Sequence, residues 1–424
     1  MQATVRNEPA SVITCDIEGR IETFNEGARE IFGYQPDEVV GRRRVSLFSD
    51  GLTVLGHVPR WLDRAVKDGA FETDTAFRRK DGSLVAARIR ITPIRKGGVH
   101  VGYCGVTRLL DGVAPAALVP PPSLGTRLMR WLVVTRAPFL TATIVPVLVG
   151  AAVAYREAGV FSGLLFALTL VGALLVHLGT NMANDYFDWT SGADAANVDY
   201  VVPFSGGSRS IELGLITPPR LRRLALACFG LGAAIGLTLT WLRGWPLLAI
   251  GVLGVFLGYA YTAPPVRLCA RKGLGELAVG LGFGPLVVAG TYLVQTGRVS
   301  AVAIVASLPV ALLVTAILYI NEFPDHDGDK ASGKNNLVVV LGRARAIRYY
   351  LILLALAYAI IAAGAATGLF PRWSFVALAG GLFAWRAARV TVAHFADRQL
   401  RAAQANTIAA HLVTGLLLAV AFAT

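Results

Sequence analysis

Hydrophobic and polar positions follow different patterns in the two halves of this chain. Over residues 1–110 apolar and polar positions alternate in short stretches, whereas beyond Arg136 the apolar positions merge into long runs. In the first part, 12–16 and 20–24 read as strands flanking Ile17-Glu18-Gly19, a hairpin signal. Asn25 suits the N-cap of a helix over 26–32, because its side chain can accept a free amide of the first turn. Residues 71–79, 84–93 and 102–107 alternate as further strands, and Lys80-Asp81-Gly82-Ser83 supplies a turn. A small α+β domain is therefore expected over 1–110. The next stretch, 111–126, is rich in Ala and Pro, includes Pro120-Pro121-Pro122, and reads as a semi-stiff tether. From 127 to 424 the apolar runs reach the length that spans a bilayer, about 20 residues. They fall near 137–155, 161–183, 221–242, 245–262, 274–294, 300–320, 347–369, 373–390 and 405–423. This predicts an all-α polytopic membrane domain of nine transmembrane helices.

Composition agrees with that division. The chain is 54% hydrophobic and only 16% charged, values that suit a polytopic membrane protein. Its formal charge of +13 raises the possibility of a nucleic-acid partner. The distribution of the cations argues against one and for membrane lipid. Alternate connections carry one basic residue each (Arg156, Arg243, Arg298, Arg372), while the others hold clusters such as Arg220, Arg222 and Arg223, or Arg343, Arg345 and Arg348. That is the positive-inside pattern. It places the N-terminus and the small domain in the cytosol of a cell (inner) membrane protein, with the C-terminus on the opposite side. Residues 1–16 are polar and show no cleavable signal. The four cysteines have no paired spacing, so neither a disulfide framework nor a zinc site is indicated.

Two acidic clusters at the ends of apolar runs carry the chemistry. The first is Asn181-Met-Ala-Asn184-Asp185-Tyr-Phe-Asp188, extended by Asp194; the second is Asn321-Glu322-Phe-Pro324-Asp325-His326-Asp327-Gly-Asp329, followed by Gly333-Lys334. On a helix, Asp185 and Asp188 lie about 60° apart and Asp325 and Asp329 about 40° apart, so each pair shares a face. Asp327 points away from its neighbours and is as well read as solvated. Carboxylates at a membrane helix end are costly unless cations neutralise them. Hard oxygen ligands offered in ones and twos suit Mg²⁺ shared with phosphate. Both clusters and the basic loop between them fall on the expected cytosolic face. A site that holds a diphosphate through metal ions follows, with Asp185, Asp188, Asp194, Asp325 and Asp329 as candidate metal ligands. Asp194 also reads as a cap, and His177, alone on an apolar helix, as a packed histidine. Arg209, Arg267, Lys272 and Lys334 are the cations best placed to stabilise a diphosphate leaving group.

These residues resemble those of the UbiA superfamily of intramembrane prenyltransferases. Asn184-Asp185-x-x-Asp188 with Ser191-Gly-Ala-Asp194 is similar to its first aspartate motif. Asp325-x-x-x-Asp329-x-x-x-Gly333-Lys334-x-x-Leu337-x-Val339-x-Leu341-Gly342 is similar to its second. Gly206-Gly207-Ser208-Arg209, and Tyr261-Thr-Ala-Pro264-Pro265-Val-Arg267 continuing to Gly273-Leu-Gly275-Glu276 and Phe283-Gly-Pro285, resemble the branch that prenylates 1,4-dihydroxy-2-naphthoate in menaquinone synthesis. One departure is Pro324, since that branch is expected to carry an arginine just before the aspartate. The resemblance covers about 127–424. It implies Mg²⁺-dependent transfer of a prenyl group from a prenyl diphosphate to an aromatic acceptor, with Asn181, Asn184, Ser208, Tyr261 and Asn321 binding substrate. Hydroxybenzoate, homogentisate or a lipid alcohol remain alternative acceptors.

The string Asp16-Ile-Glu-Gly-Arg-Ile-Glu-Thr-Phe-Asn25, then Ile31-Phe-Gly-Tyr34-x-Pro36-x-Glu38-Val-Val-Gly41, resembles a PAS sensor domain. No Asn-Cys-Arg-Phe flavin-attachment string accompanies it, and His57 and His100 are lone histidines, so the PAS ligand stays unassigned. A PAS-linked membrane receptor or transporter is the competing reading. A receptor needs an output module, and the last apolar run ends at Thr424. The PAS domain is then expected to regulate an enzyme whose chemistry lies downstream.

Overall fold

The computed structural model describes residues 4–5, 9–201 and 204–424. The chain divides into two compact units, one of Met1–Val134 with Arg209–Thr217, the other of Thr135–Ser208 with Pro218–Thr424.

The N-terminal unit is built on an antiparallel sheet. Its strands are β1 (Thr4–Val5), β2 (Ser11–Asp16), β3 (Ile21–Phe24), β4 (Phe71–Arg78), β5 (Leu84–Lys96) and β6 (Val99–Asp111). They run in the order β3-β2-β6-β5-β4, with β1 also on β6. Four short helices, α1 (Glu26–Phe32), α2 (Pro36–Val39), α3 (Gly51–Gly56) and α4 (Val58–Asp68), lie between β3 and β4. Local chemistry explains the connections. Asp16 Oδ1 accepts from the amides of Glu18 and Arg20, both at 2.9 Å, which closes the β2–β3 hairpin. Asn25 Oδ1 caps α1 through Ala28 N at 2.9 Å and also accepts from Val12 N at 2.8 Å, tying helix to strand. The inner face of the sheet packs Ile13, Ile21, Phe24, Phe77 and Leu109 against Ile31, Phe32 and Phe48. Phe32 and Phe48 stack with ring centroids 4.2 Å apart, and Phe77 meets Phe32 edge-on at 5.8 Å. Within this core the Cys15 thiol is pushed up to about 12, chiefly by burial, which disfavours the thiolate. His100 is a packed residue, with Nε2 bonded to Gly102 O at 3.0 Å and its ring edge-on to Tyr103. After a 3₁₀ turn at Pro115–Leu118, α5 (Leu124–Val134) still belongs to this unit. The second unit thus starts at Thr135, beyond the position expected from the proline-rich tether.

The second unit is helical. In order it holds α6 (Thr141–Ala158), α7 (Gly163–Thr190), α8 (Ala193–Ala196), α9 (Pro218–Arg243), α10 (Trp245–Ala260), α11 (Leu274–Leu281) and α12 (Val287–Thr296). These are followed by α13 (Ala301–Ala331), α14 (Leu337–Leu341), α15 (Arg343–Thr367), α16 (Gly381–His394) and α17 (Leu400–Ala423). Among the described residues eight helical stretches, not the expected nine, are long and apolar enough to cross a membrane. The difference is α10. Its 16 residues end where Tyr261-Thr-Ala-Pro turns, and at 1.5 Å per residue they rise about 24 Å, short of a hydrocarbon core of about 30 Å. Large apolar side chains stay exposed along the helices, among them Leu231, Ile352, Leu382 and Val420, and Trp241, Trp245 and Trp373 are exposed at helix ends. A lipid-facing surface with interfacial aromatics has this composition. Inside, α6, α12, α13 and α17 share a core of Val145, Val149, Val288, Val310 and Leu418. Tyr350 and Tyr358 on α15 bond Thr407 and Thr414 on α17 at 2.5 and 2.9 Å, polar contacts that join membrane helices side by side.

Helix length positions the site. The 28 residues of α7 and 31 of α13 span about 42 and 46 Å, so each overshoots the hydrocarbon by two turns or more. Those terminal turns are the ones that carry the two acidic clusters.

Candidate active site

The two acidic motifs meet. Lys334 Nζ, just past α13, pairs with Asp188 Oδ1 on α7 at 2.7 Å. Asn197, after α8, donates to Asp325 Oδ1 at 2.8 Å, and Gly206 N donates to Asp325 Oδ2 at 3.0 Å. Asp185 accepts from Ser208 N at 3.3 Å and from the Ser208 hydroxyl. Asp329 accepts from Asn336 Nδ2 at 2.8 Å, and Asn336 in turn caps α14. Asp185 and Asp188 are both buried. Asp327 faces outward, where His326 and Arg343 pair with it at 2.7 and 3.1 Å.

Arg136 completes the cluster, and sequence reasoning missed it. Its Nη2 lies 2.7 Å from Asp185 Oδ1. At the head of the first apolar run it reads as a flanking charge; the sign that could have found it was a lone arginine on the side of the acidic motifs. Burial opposes its charge, but Asp185, Asp188 and Asp194 outweigh that and raise it above the usual arginine range. Lys334 behaves alike: burial opposes its charge, and Asp188 and Asp329 hold the ammonium well above the ordinary lysine value. Both face carboxylates that favour their charged forms. The only non-glycine residues with positive φ among those described are Arg136, Arg209 and Arg267, at 51°, 55° and 45°. Strain of this kind concentrates where a backbone is shaped for function.

The glycine-rich loop approaches the carboxylates closely. Gly206 and Gly207 have φ of 75° and 77°. A Cβ added at Gly207 would lie 2.9 Å from Arg136 Nη2, 3.2 Å from Asp185 Oδ1 and 3.6 Å from Asp194 Oδ1. Gly207→Ala is therefore expected to reduce turnover about tenfold. The left-handed backbone costs an alanine about 1–2 kcal/mol, which together with the crowding by Arg136 and Asp185 displaces the loop. Losing about 1.4 kcal/mol of transition-state stabilisation is one decade in rate. Steady-state kinetics on the purified variant checks this, and unchanged kinetics would show that the loop does not need its present path.

Other expected residues are distributed as follows. Asn181, Asn184, Tyr261 and Asn321 all line one cavity of about 960 Å³, which also reaches Arg136. Beyond these polar groups its walls are apolar, including Val176, Ile235, Val255, Leu286 and Ile317. Asn181 additionally donates to Thr135 O at 3.2 Å, and Asn321 accepts from Gln404 at 3.0 Å, a partner not foreseen. His177 lines the cavity as a packed histidine, bonded to Thr143 at 2.8 Å. Cys269 N bonds Tyr261 O at 2.9 Å, and Arg271 forms a β-bridge with Asn335, the neighbour of Lys334, which places the turn carrying Tyr261 and Arg267 beside the cluster. Lys272 is exposed. Arg209 falls in the N-terminal unit, where it pairs with Glu212 at 3.2 Å. Glu276, at the end of the Gly273–Glu276 stretch, accepts from Leu337 N at 2.7 Å and so anchors the segment following Lys334.

Residues 143–419, most of the second unit, match the UbiA prenyltransferase family. The chain belongs to that family. It is a UbiA-family prenyltransferase with an N-terminal PAS domain, which residues 9–107 match. Among curated proteins it is 32% identical to a Bacillus subtilis 1,4-dihydroxy-2-naphthoate octaprenyltransferase over 57% of this chain and 75% of the relative. It is 29% identical to the Escherichia coli protein of the same description over 69% of this chain and 94% of that one. Among solved structures, a UbiA homolog from Aeropyrum pernix K1 superposes with a TM-score of 0.50 at 16% identity, covering 68% of this chain and 98% of that one. This last likeness concerns the fold.

Among the described residues no three His, Cys, Asp or Glu side chains close on one point as an all-protein metal cage. Mg²⁺ shared with a diphosphate does not call for one, because phosphate and water oxygens supply most of its octahedral shell. The donor set here, carboxylates in ones and twos beside fixed cations and a glycine cradle, fits that arrangement.

Proposed function

We propose that this prenyltransferase transfers a prenyl group from a prenyl diphosphate to 1,4-dihydroxy-2-naphthoate or a related quinone precursor, with Mg²⁺ as cofactor. The observation that carries the reading is the continuity of one cavity from Arg136, itself paired with Asp185, into walls of apolar side chains. A charged head and a long hydrocarbon tail need that combination. The resemblance of the Gly206–Arg209 and Tyr261–Arg267 stretches to the naphthoate branch supports the acceptor, as do the names of the bacterial relatives.

Asp185, Asp188, Asp325 and Asp329 are the residues to hold Mg²⁺, with Asp194 adjoining them. When bound, Mg²⁺ supplies Lewis-acid neutralisation of the diphosphate. Arg136 and Lys334 add fixed positive charge where negative charge grows on the leaving group as the allylic carbon–oxygen bond breaks. Arg267, on the adjoining turn, extends that field. Asn184, Tyr261 and Asn321 line the cavity and orient the acceptor ring for attack on the allyl cation. The attacked ring carbon then loses its proton or, where it bears the carboxylate, carbon dioxide, and the ring regains its aromaticity. The apolar walls exclude water, which would otherwise capture that cation. The distribution of basic loops supports a site facing the cytosol.

Incubating the purified protein with Mg²⁺, a series of prenyl diphosphates and a panel of acceptors (dihydroxynaphthoate, hydroxybenzoate, homogentisate and a lipid alcohol) tests the assignment by mass spectrometry. A prenylated naphthoquinol is the expected product. Prenylation of another acceptor with dihydroxynaphthoate inert would overturn the acceptor and leave the donor chemistry standing.

A further inference from the structure

Nine residues of the catalytic half of the sequence, Arg209–Thr217, are built into the N-terminal unit. Their fold is compact. Leu213 N bonds Arg209 O, Gly214 N bonds Ile211 O and Leu215 N bonds Ser210 O, each at 2.9 Å. Arg209, Ser210, Leu215 and Ile216 are buried. Inside that unit the segment packs on the start of α3. A Cβ added to Gly51 would lie 2.1 Å from Leu213 O and 2.8 Å from Leu215 Cδ2, so only glycine permits the approach. Glu212, which pairs with Arg209, also faces Arg43 at 3.9 Å. One added at Gly214 would lie 3.4 Å from Arg78 Nη1, and Arg78 pairs with Asp50, the cap of α3, at 3.5 Å.

The residue immediately before this segment is Ser208, whose amide and hydroxyl both donate to Asp185, and two residues earlier Gly206 N donates to Asp325. A single peptide bond thus joins a loop that hydrogen-bonds one carboxylate from each acidic motif to a segment held in the sensor unit. We propose that Arg209–Thr217 is a strap through which the PAS unit sets how Gly206–Ser208 presents Asp185 and Asp325 to the diphosphate. The proposal rests on the diphosphate reading above. A change in the PAS unit that moves α3 or β4 pulls on the strap, and the next backbone groups along the chain are those bonded to the carboxylates. Coupling of this kind is reciprocal: whatever the sensor does to diphosphate affinity, diphosphate must do to the sensor.

Hydrogen–deuterium exchange on the full-length protein in lipid nanodiscs, with Mg²⁺ and inorganic diphosphate as the probe, measures both directions without needing turnover. In the unaltered chain the probe is expected to change exchange in 209–217 and also in 51–56. Gly51→Val leaves the helical backbone of α3 permissible, since Gly51 is not left-handed, yet collides with Leu213. It is expected to raise exchange in 209–217 at least tenfold and to shift half-saturating diphosphate at least threefold. Leu215→Ala, which removes packing without adding bulk, should move both in the same direction by less and serves if the valine variant does not fold. Binding of the probe with exchange in 51–56 unchanged would overturn the strap. So would a Gly51→Val protein whose strap exchanges freely while half-saturation stays put, or one whose strap exchange does not rise. Failure of the probe to bind at all would instead contradict the diphosphate reading and, with it, this proposal.

Discussion

Alanine at Asp185 or at Asp325 is expected to lower prenyl transfer by about a thousandfold or more in a protein that still inserts and is extracted intact. Each carboxylate anchors one motif to the loop between them. Asp185 receives Arg136 and Ser208, and Asp325 receives Asn197 and Gly206. Removing either deletes a proposed ligand for Mg²⁺ and also releases the glycine-rich loop. Neither side chain serves the apolar packing of its helix, so the membrane fold should survive. Turnover measured at saturating Mg²⁺ on monodisperse protein gives the answer; rates near those of the unaltered chain in both variants would remove these residues from the reaction.

The second large effect concerns the cations. Lys334→Ala and Arg136→Ala are each expected to reduce kcat/KM roughly a hundredfold, the magnitude found when one stabiliser of developing charge is deleted. Lys334 is the direct link from the second motif to Asp188, at 2.7 Å. Burial opposes its charge, but Asp188 and Asp329 outweigh that and hold the ammonium well above the ordinary lysine value. Arg136→Lys keeps charge but loses the planar fork, so partial activity is expected there, between alanine and arginine. Kinetics with varied prenyl diphosphate distinguish the two variants from general damage. A Lys334→Ala protein within threefold of the unaltered one would mean that its charge is not used.

Much of this site could be read from the chain because its chemistry is local to helix ends. The spacing Asp185-x-x-Asp188 or Asp325-x-x-x-Asp329 fixes a shared face, and long helices bring those faces to one end. What could not be read depends on distant pairings. Arg136 lies 49 residues before its partner Asp185, and nothing in its immediate neighbourhood distinguishes it from a topological charge. Gln404 and Asn321 are 83 residues apart, and Glu276 and Leu337 61. In the N-terminal domain the strands and the Asn25 cap follow from alternation and side-chain capping, both local effects. The ninth span was overcounted because apolarity continued through Tyr261 while the helix ended at Ala260. Arg209 was expected on the diphosphate as a cation of the basic loop between the acidic motifs, within the Gly206–Arg209 stretch that resembles the naphthoate branch. The structure gives it to the PAS unit, a tertiary arrangement that the loop's own sequence does not announce.

Equilibrium binding of a non-ionising prenyl thiodiphosphate to the purified full-length protein, titrated with and without Mg²⁺, tests the central claim most directly. The account predicts one prenyl diphosphate per chain, bound with Mg²⁺, weakened at least a hundredfold by chelation, and lost in both Asp185→Ala and Asp325→Ala. Binding of equal strength with and without Mg²⁺, unaffected by either substitution, would contradict it.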